Sequence, residues 1–185
     1  MNTYVILLRG INVGGKNKIP MTELKLCLEE RGFENVSTYI NSGNVLLESN
    51  LSSEQITDQI EEMLPIKFSL DNSLIKVLAL SHDNLQAVIG HAPGGFGAEP
   101  SKYHSDVIFL MGITPEEAWP VFSPKEGVDR IWPGKGVIYS QRLSSLRVKS
   151  RLSKIIGTPA YKNMTIRSWS TTTKMLEILE GLSAA

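Results

Sequence analysis

Marked only as apolar and polar positions, the first eighty residues read as strands alternating with helices. Tyr4-Val5-Ile6-Leu7-Leu8 is an unbroken apolar run of strand length, which predicts a buried strand. Residues 7–17 follow with three glycines, Gly10, Gly14 and Gly15, which let the backbone take left-handed conformations and turn N–H groups toward a ligand. Met21, Leu24, Cys27 and Leu28 then recur at helical spacing, predicting a helix with Pro20 in its first turn and its end near Gly32. Residues 37–40 and 44–47 are short β-like runs around Asn41-Ser42-Gly43, the pattern of a hairpin. Ser52-x-x-Gln55 is a capping box ahead of Ile56, Ile60, Met63 and Leu64, and Pro65 is expected to stop that helix. Residues 74–80 are apolar except for Lys76, as in a strand buried on both faces.

The order βαββαβ then comes round again. Residues 81–100 open with a short helix carrying Leu85, Val88 and Ile89 and break into His91-Ala92-Pro93-Gly94-Gly95-Phe96-Gly97, where regular structure should not persist. Residues 106–111 read as a strand. Thr114-Pro115-Glu116-Glu117 is a capping box with proline at the first helical position, opening a helix through Phe122. Residues 129–132 and 136–140 pair as a hairpin around Pro133-Gly134-Lys135, and 149–156 read as a helix ended by Gly157 and Pro159. A strand over 164–169 and a helix over 172–182, with Met175, Leu176, Leu179 and Leu182 inward, close the chain. The fold expected is α+β: two ferredoxin-like α/β plaits in tandem plus a C-terminal helix. The boundaries are 1–80, a helix and glycine-rich linker over 81–100, and 101–185.

Composition adds little. Of 185 residues 42% are hydrophobic and 21% charged, an ordinary globular balance that makes disorder improbable. The first apolar run ends at Arg9 with no basic segment before it, so neither a signal peptide nor a membrane span is expected. A lone Cys27 excludes an internal disulfide and suits a reducing compartment. The chain therefore reads as cytoplasmic, with no membrane partner. Charge does change the picture. The net charge is zero, yet residues 1–98 carry 7 basic and 11 acidic side chains, −4, and residues 99–185 carry 12 and 8, +4. Charge separated in this way suits an anionic partner on one face.

The chemistry follows from two places. A strand, a glycine loop with Arg9 and Lys16, and a helix start make an anion cradle, with Gly10, Gly14 and Gly15 supplying backbone donors. The competing reading is that the glycines only let the loop pack under the hairpin. Gly10-x-x-x-x-Gly15-Lys16-Asn17 falls short of a phosphate loop, because Asn17 stands where Ser or Thr should hold magnesium and Pro20 delays the helix. Asn12, Asn17, Ser42 and Asn44 would form a polar pocket if the loop abuts the first hairpin. The second place is Arg147, Lys149, Arg151 and Lys154. If the helix reaches back far enough, Arg147, Arg151 and Lys154 share one face suited to phosphate, or simply a solvated face.

Enzyme signals are thin. His82, His91 and His104 sit on separate segments with no metal spacing, and Cys27 lies on an apolar stripe. His104-Ser105-Asp106 has triad residue types, but neighbours on a strand point to alternate faces. Tyr39, Trp132, Tyr139 and Trp169 fit cores, or an interface between the two halves, better than base stacking, since Lys135-Gly136-Val137-Ile138-Tyr139 lacks the aromatic that an RNA-recognition motif places after glycine.

Leu8-Arg9-Gly10-Ile11-Asn12-Val13-Gly14-Gly15-Lys16-Asn17, Ile19-Pro20-Met21 and Glu23-Leu24 together resemble the opening signature of a bacterial family, domain of unknown function 1697. Gly32-Phe33, Asn35-Val36 and Thr38-Tyr39-Ile40-Asn41-Ser42-Gly43-Asn44-Val45 continue it. Thr165-Ile166-Arg167-Ser168-Trp169-Ser170-Thr171 is similar to the family's closing motif, with Ser168 and Ser170 where that motif has asparagines. The resemblance implies two ferredoxin-like subdomains and no assigned activity.

The expectation is a small binding protein for a phosphate-bearing ligand, nucleotide or nucleic acid. Arg9, Gly10, Asn12, Gly14, Gly15, Lys16, Asn17, Ser42 and Asn44 would form its loop site, with Lys149, Arg151 and Arg167 as a basic C-terminal patch. No cofactor and no metal are expected. Two alternatives stand beside it: a small enzyme with a pocket between subdomains, and an assembly module. The sequence sets neither catalytic residues nor oligomeric state.

Overall fold

A computed structural model describes residues 1–71 and 75–184. Two four-stranded antiparallel sheets, each with its own helices, and a C-terminal helix make up the chain. It divides into two compact units, Met1–Gln86 with Met175–Ala185, and Ala87–Lys174. The 81–100 stretch expected as a linker is thus shared between units, and the last helix is shared as well.

The first unit contains β1 (Asn2–Arg9), α1 (Met21–Glu30), β2 (Glu34–Tyr39), β3 (Asn44–Ser49), α2 (Ser53–Lys67) and β4 (Lys76–Ser81), with strand order β2-β3-β1-β4. β1 pairs antiparallel with both β3 and β4, which is why its five apolar residues are all buried. Tyr4, Ile6 and Leu8 of β1 share a core with Leu24 and Leu28 of α1 and with Ile56, Ile60 and Met63 of α2. The Ser52 capping box forms as expected. Pro65, however, does not end α2, which continues to Lys67, and the Phe68 N–H closes the last turn on the Leu64 carbonyl at 2.9 Å. So close to the helix end the proline removes only one backbone bond. β4 departs from expectation as well. It is an edge strand with alternating burial, not one covered on both faces, and Leu74 lies outside the described residues.

The second unit contains all four of its expected strands, β5 (Tyr103–Leu110), β6 (Asp129–Pro133), β7 (Val137–Leu143) and β8 (Met164–Ser168), in the order β6-β7-β5-β8. α3 (His82–Gly90) runs in from the first unit, and α5 (Trp169–Ser183) runs out of this one. Phe96, from the glycine-rich loop, packs edge-on against Trp132, Tyr139 and Trp169, with ring centroids 5.9, 5.4 and 5.1 Å away. Phe96 and Tyr139 are buried in the core, and Trp132 and Trp169 are half-buried against Phe96.

Of two helices expected here, one is shortened and the other is not an α-helix. α4 (Pro115–Ala118) keeps its capping box but tightens into a 3-10 turn, Trp119–Val121, because Pro120 has no N–H to continue the α pattern. The expected helix over 149–156 is replaced by 3-10 segments Ser144–Lys149 and Leu152–Gly157. At the junction of the two segments the Asp129 carboxylate accepts the Arg151 N–H at 2.8 Å, where a helix continuous over 144–157 would give it to the Arg147 carbonyl. The four-residue stacking of Arg147 on Arg151 is therefore absent. At the end of β8 the strand stops one residue early: Ser168 Oγ accepts the Thr171 N–H at 3.2 Å and caps α5. Serine caps about as well as the asparagine it replaces.

Candidate functional site

The glycine loop is a miniature hairpin. Val13 pairs with Lys16, and between them Gly14 (φ +58°) and Gly15 (φ +75°) are both left-handed, the type I′ turn. Asn12 (φ +53°) and Asn17 (φ +48°) flank it, also left-handed, and the Asn12 N–H donates to the Asn17 carbonyl at 3.0 Å. Asparagine tolerates that conformation when its side chain bonds locally.

Both side chains do so. Asn12 Nδ2 donates to the carbonyls of Ile19 and Asn41, each at 3.0 Å, while its Oδ1 accepts the Ile19 N–H at 2.8 Å. Asn17, buried, donates to the Gly10 carbonyl at 2.8 Å and accepts the Asp71 N–H at 2.8 Å. Asn44, fully buried, donates to the Tyr39 carbonyl at 3.0 Å and to Ser42 Oγ at 2.9 Å. The loop does abut the first hairpin, and Asn12 joins them. These amides are spent on holding backbone, so the polar pocket expected of Asn12, Asn17, Ser42 and Asn44 is a set of braces.

What the braces leave open is a cleft of 410 Å³ lined by Asn12, Gly15, Lys18, Ile19, Pro20, Met21 and Asn41. The start of α1 is its wall. Pro20 takes the cap position with ψ 124°, one residue before the helix rather than inside it, and supplies no side-chain cap. The first-turn N–H groups of a helix have no intrahelical partner. Lys16 and Lys18 are exposed, and among the described residues neither is in an ion pair. Ile40, half-exposed beside Asn41, sits at φ +51°, a strained conformation for a β-branched residue. Arg9 and Gly10, at the end of β1, are half-buried.

A larger cavity of 890 Å³ in the same unit has Glu48, Asp83 and Glu180 in its wall, with His82 Nδ1 at 3.1 Å from Asp83. Its acidic lining does not suit an anion. Among the described residues, no three His, Cys, Asp or Glu side chains are placed to hold a metal ion.

In the second unit, Lys149 and Arg151 are exposed on the 3-10 stretch, but Arg167 does not join them. It is buried on β8, donates to Thr165 Oγ1 at 2.8 Å and to the Ile166 carbonyl at 2.9 Å, and burial pulls its guanidinium down to about 10. One pairing escaped the sequence reading. His104 and Asp106, two apart on β5 and so on one face, meet at 3.0 Å. Burial pushes the Asp106 carboxyl up, opposed by His104 and Arg142. The i, i+2 spacing was the available signal.

Comparison with known proteins adds kinship without chemistry. The model of a family described as protein of unknown function (DUF1697) matches residues 1–139, which include the glycine loop and stop short of the 165–171 motif. A solved structure, that of the conserved bacterial protein SP0830 from Streptococcus pneumoniae, superposes with a TM-score of 0.82 at 27% identity, covering 96% of this chain and 98% of that one. No curated protein matches the chain.

Proposed function

The chain belongs to the DUF1697 family, and from that premise we propose that its first unit binds a phosphate-bearing small molecule, such as a nucleotide, in the cleft at the start of α1. One observation carries the reading: a 410 Å³ cleft walled by a helix start that no side chain caps. That volume lies in the range of small-molecule sites, roughly 300–1,000 Å³. Phosphate oxygens accept from the first-turn N–H groups, with Lys18 beside them, and Ile19, Pro20 and Met21 offer apolar surface to the rest of the ligand. Glu23, in the first turn of α1, competes for the same dipole, so the lysines matter to the balance. The braces built from Asn12 and Asn17 hold the cleft open before any ligand arrives, which lowers the ordering cost of binding.

A thermal-shift screen against inorganic phosphate, nucleotides and phosphosugars tests this. A ligand at about a hundred times its dissociation constant adds about 2.7 kcal/mol to the folded state. The expected hit is weakened at least tenfold in Lys18→Ala. Silence across the panel, or a hit indifferent to Lys18, overturns the reading.

We also read each unit as a ferredoxin-like plait and the pair as a duplication. The support is that both sheets have the same strand order once each unit is numbered from its own first strand. The second unit departs from the full pattern where 3-10 segments, not a helix, connect β7 to β8.

A further inference from the structure

The two units carry opposite charge. The second has twelve Lys or Arg against six Asp or Glu, a net of +6, while the first has seven against thirteen, a net of −6. Within the second unit the excess concentrates on the 3-10 stretch. Arg147, Lys149, Arg151 and Lys154 are all exposed, and among the described residues none is in an ion pair. No acidic residue occurs anywhere from 130 to 174. The stretch is also fixed in place. Leu152 and Ile155 are buried beneath it, and the Asp129 carboxylate accepts the backbone N–H groups of both Arg151 and Lys125, at 2.8 and 2.9 Å.

We propose that this surface binds the phosphate backbone of a nucleic-acid duplex without reading its sequence. The proposal is independent of the α1 cleft, which lies in the other unit. Four unpaired cations held on a pinned backbone, with exposed Ser145 and Ser153 among them, are the groups that contact phosphates. Arginine's planar fork matches phosphate oxygens. A duplex is favoured over a single strand because residues 144–157 contain no aromatic side chain, and single-strand binders need stacking platforms. Three aromatic rings elsewhere in the unit are already engaged with Phe96. An anionic membrane is the weaker fit. Only Val148, 88% exposed, and Ile156, 58% exposed, could insert, and the stretch forms no amphipathic α-helix.

The test is fluorescence anisotropy of the whole chain with two labelled duplexes of unrelated sequence and one single strand, across a salt series. Equal affinity for both duplexes is expected. The plot of log K against log salt should have a slope of about −3 to −4, from about 0.9 per phosphate contacted. Replacing Lys149→Glu and Arg151→Glu together should lower affinity more than tenfold and flatten that slope by about 2. The Arg151 main-chain bond to Asp129 is kept in that variant, and an unchanged circular dichroism spectrum confirms its fold. Lys18→Ala should bind duplex as the wild type does. Failure to bind at low salt, tighter binding to the single strand, or an unaffected double variant overturns the proposal. So does binding to phosphatidylserine vesicles that Val148→Ser abolishes, if the duplex does not bind.

Discussion

Gly43 shows how narrowly the site is built at the level of single residues. Its φ is +82°, its carbonyl accepts the Leu8 N–H at 2.8 Å, and an added Cβ would lie 2.9 Å from the Leu8 carbonyl oxygen. Gly43→Ala is therefore expected to cost about 2–4 kcal/mol, from backbone strain plus overlap with main chain that cannot swing away. Gly14→Ala, at φ +58° with nothing within 4 Å of its Cβ, should cost only about 1 kcal/mol. Urea midpoints of the two variants check the contrast, and equal losses would show that strain alone matters. Asp106 makes a different prediction. Its carboxyl is raised, chiefly by burial, and a raised carboxyl contributes stability that is present in acid and lost as pH rises through its folded value. Asp106→Asn cannot ionise, so it should gain on the wild type as pH climbs from acid to neutral. The opposite trend, with the wild type gaining on Asp106→Asn as pH rises, would mean that the interaction with His104 dominates instead.

At the scale of elements, the anchoring of the 3-10 stretch by Asp129 is the instructive case. Residues 149–156 have apolar spacing good enough for a helix, yet the chain stays in 3-10 turns, with a buried carboxylate accepting the Arg151 N–H at their junction. Asp129→Ala removes the acceptor for two N–H groups. At about 1.5–3 kcal/mol per bond to a charged group, partly recovered by water, a net loss of about 2–4 kcal/mol is expected. Asp129→Asn, which keeps an acceptor oxygen, should lose roughly half as much. Denaturant unfolding measures both, and faster exchange of the Arg151 amide in Asp129→Ala would localise the change.

For the whole molecule the governing fact is the segregation of charge, +6 in one unit and −6 in the other, under a net charge of zero. Anions approach the second unit with the field and the first against it. A ligand in the proposed cleft would therefore be held by short-range donors, while a duplex on the proposed patch would gain most of its affinity from released counterions. Raising salt from about 50 to 200 mM should weaken duplex binding by about two orders of magnitude. Cleft binding, measured by the thermal-shift response to the same salt change, should move far less. Among the described residues no helix is long and apolar enough to cross a membrane.

Much of this protein was legible before any coordinates. Tyr4 to Leu8, the Asn41-Ser42-Gly43 turn, the two capping boxes and the glycine loop are all local patterns, and a local pattern is determined by near neighbours along the chain. The family resemblance rested on stretches within residues 8–45 and on the 165–171 motif, and the family model matches across the first of these. Long-range partners decided the rest. Asp71 occupies the Asn17 amide across 54 positions, Asp129 reaches Arg151 across 22, and burial on β8 removes Arg167 from the surface that its charge suggested. Whether a polar side chain meets a ligand or a backbone depends on what the fold brings beside it, and sequence spacing carries no record of that.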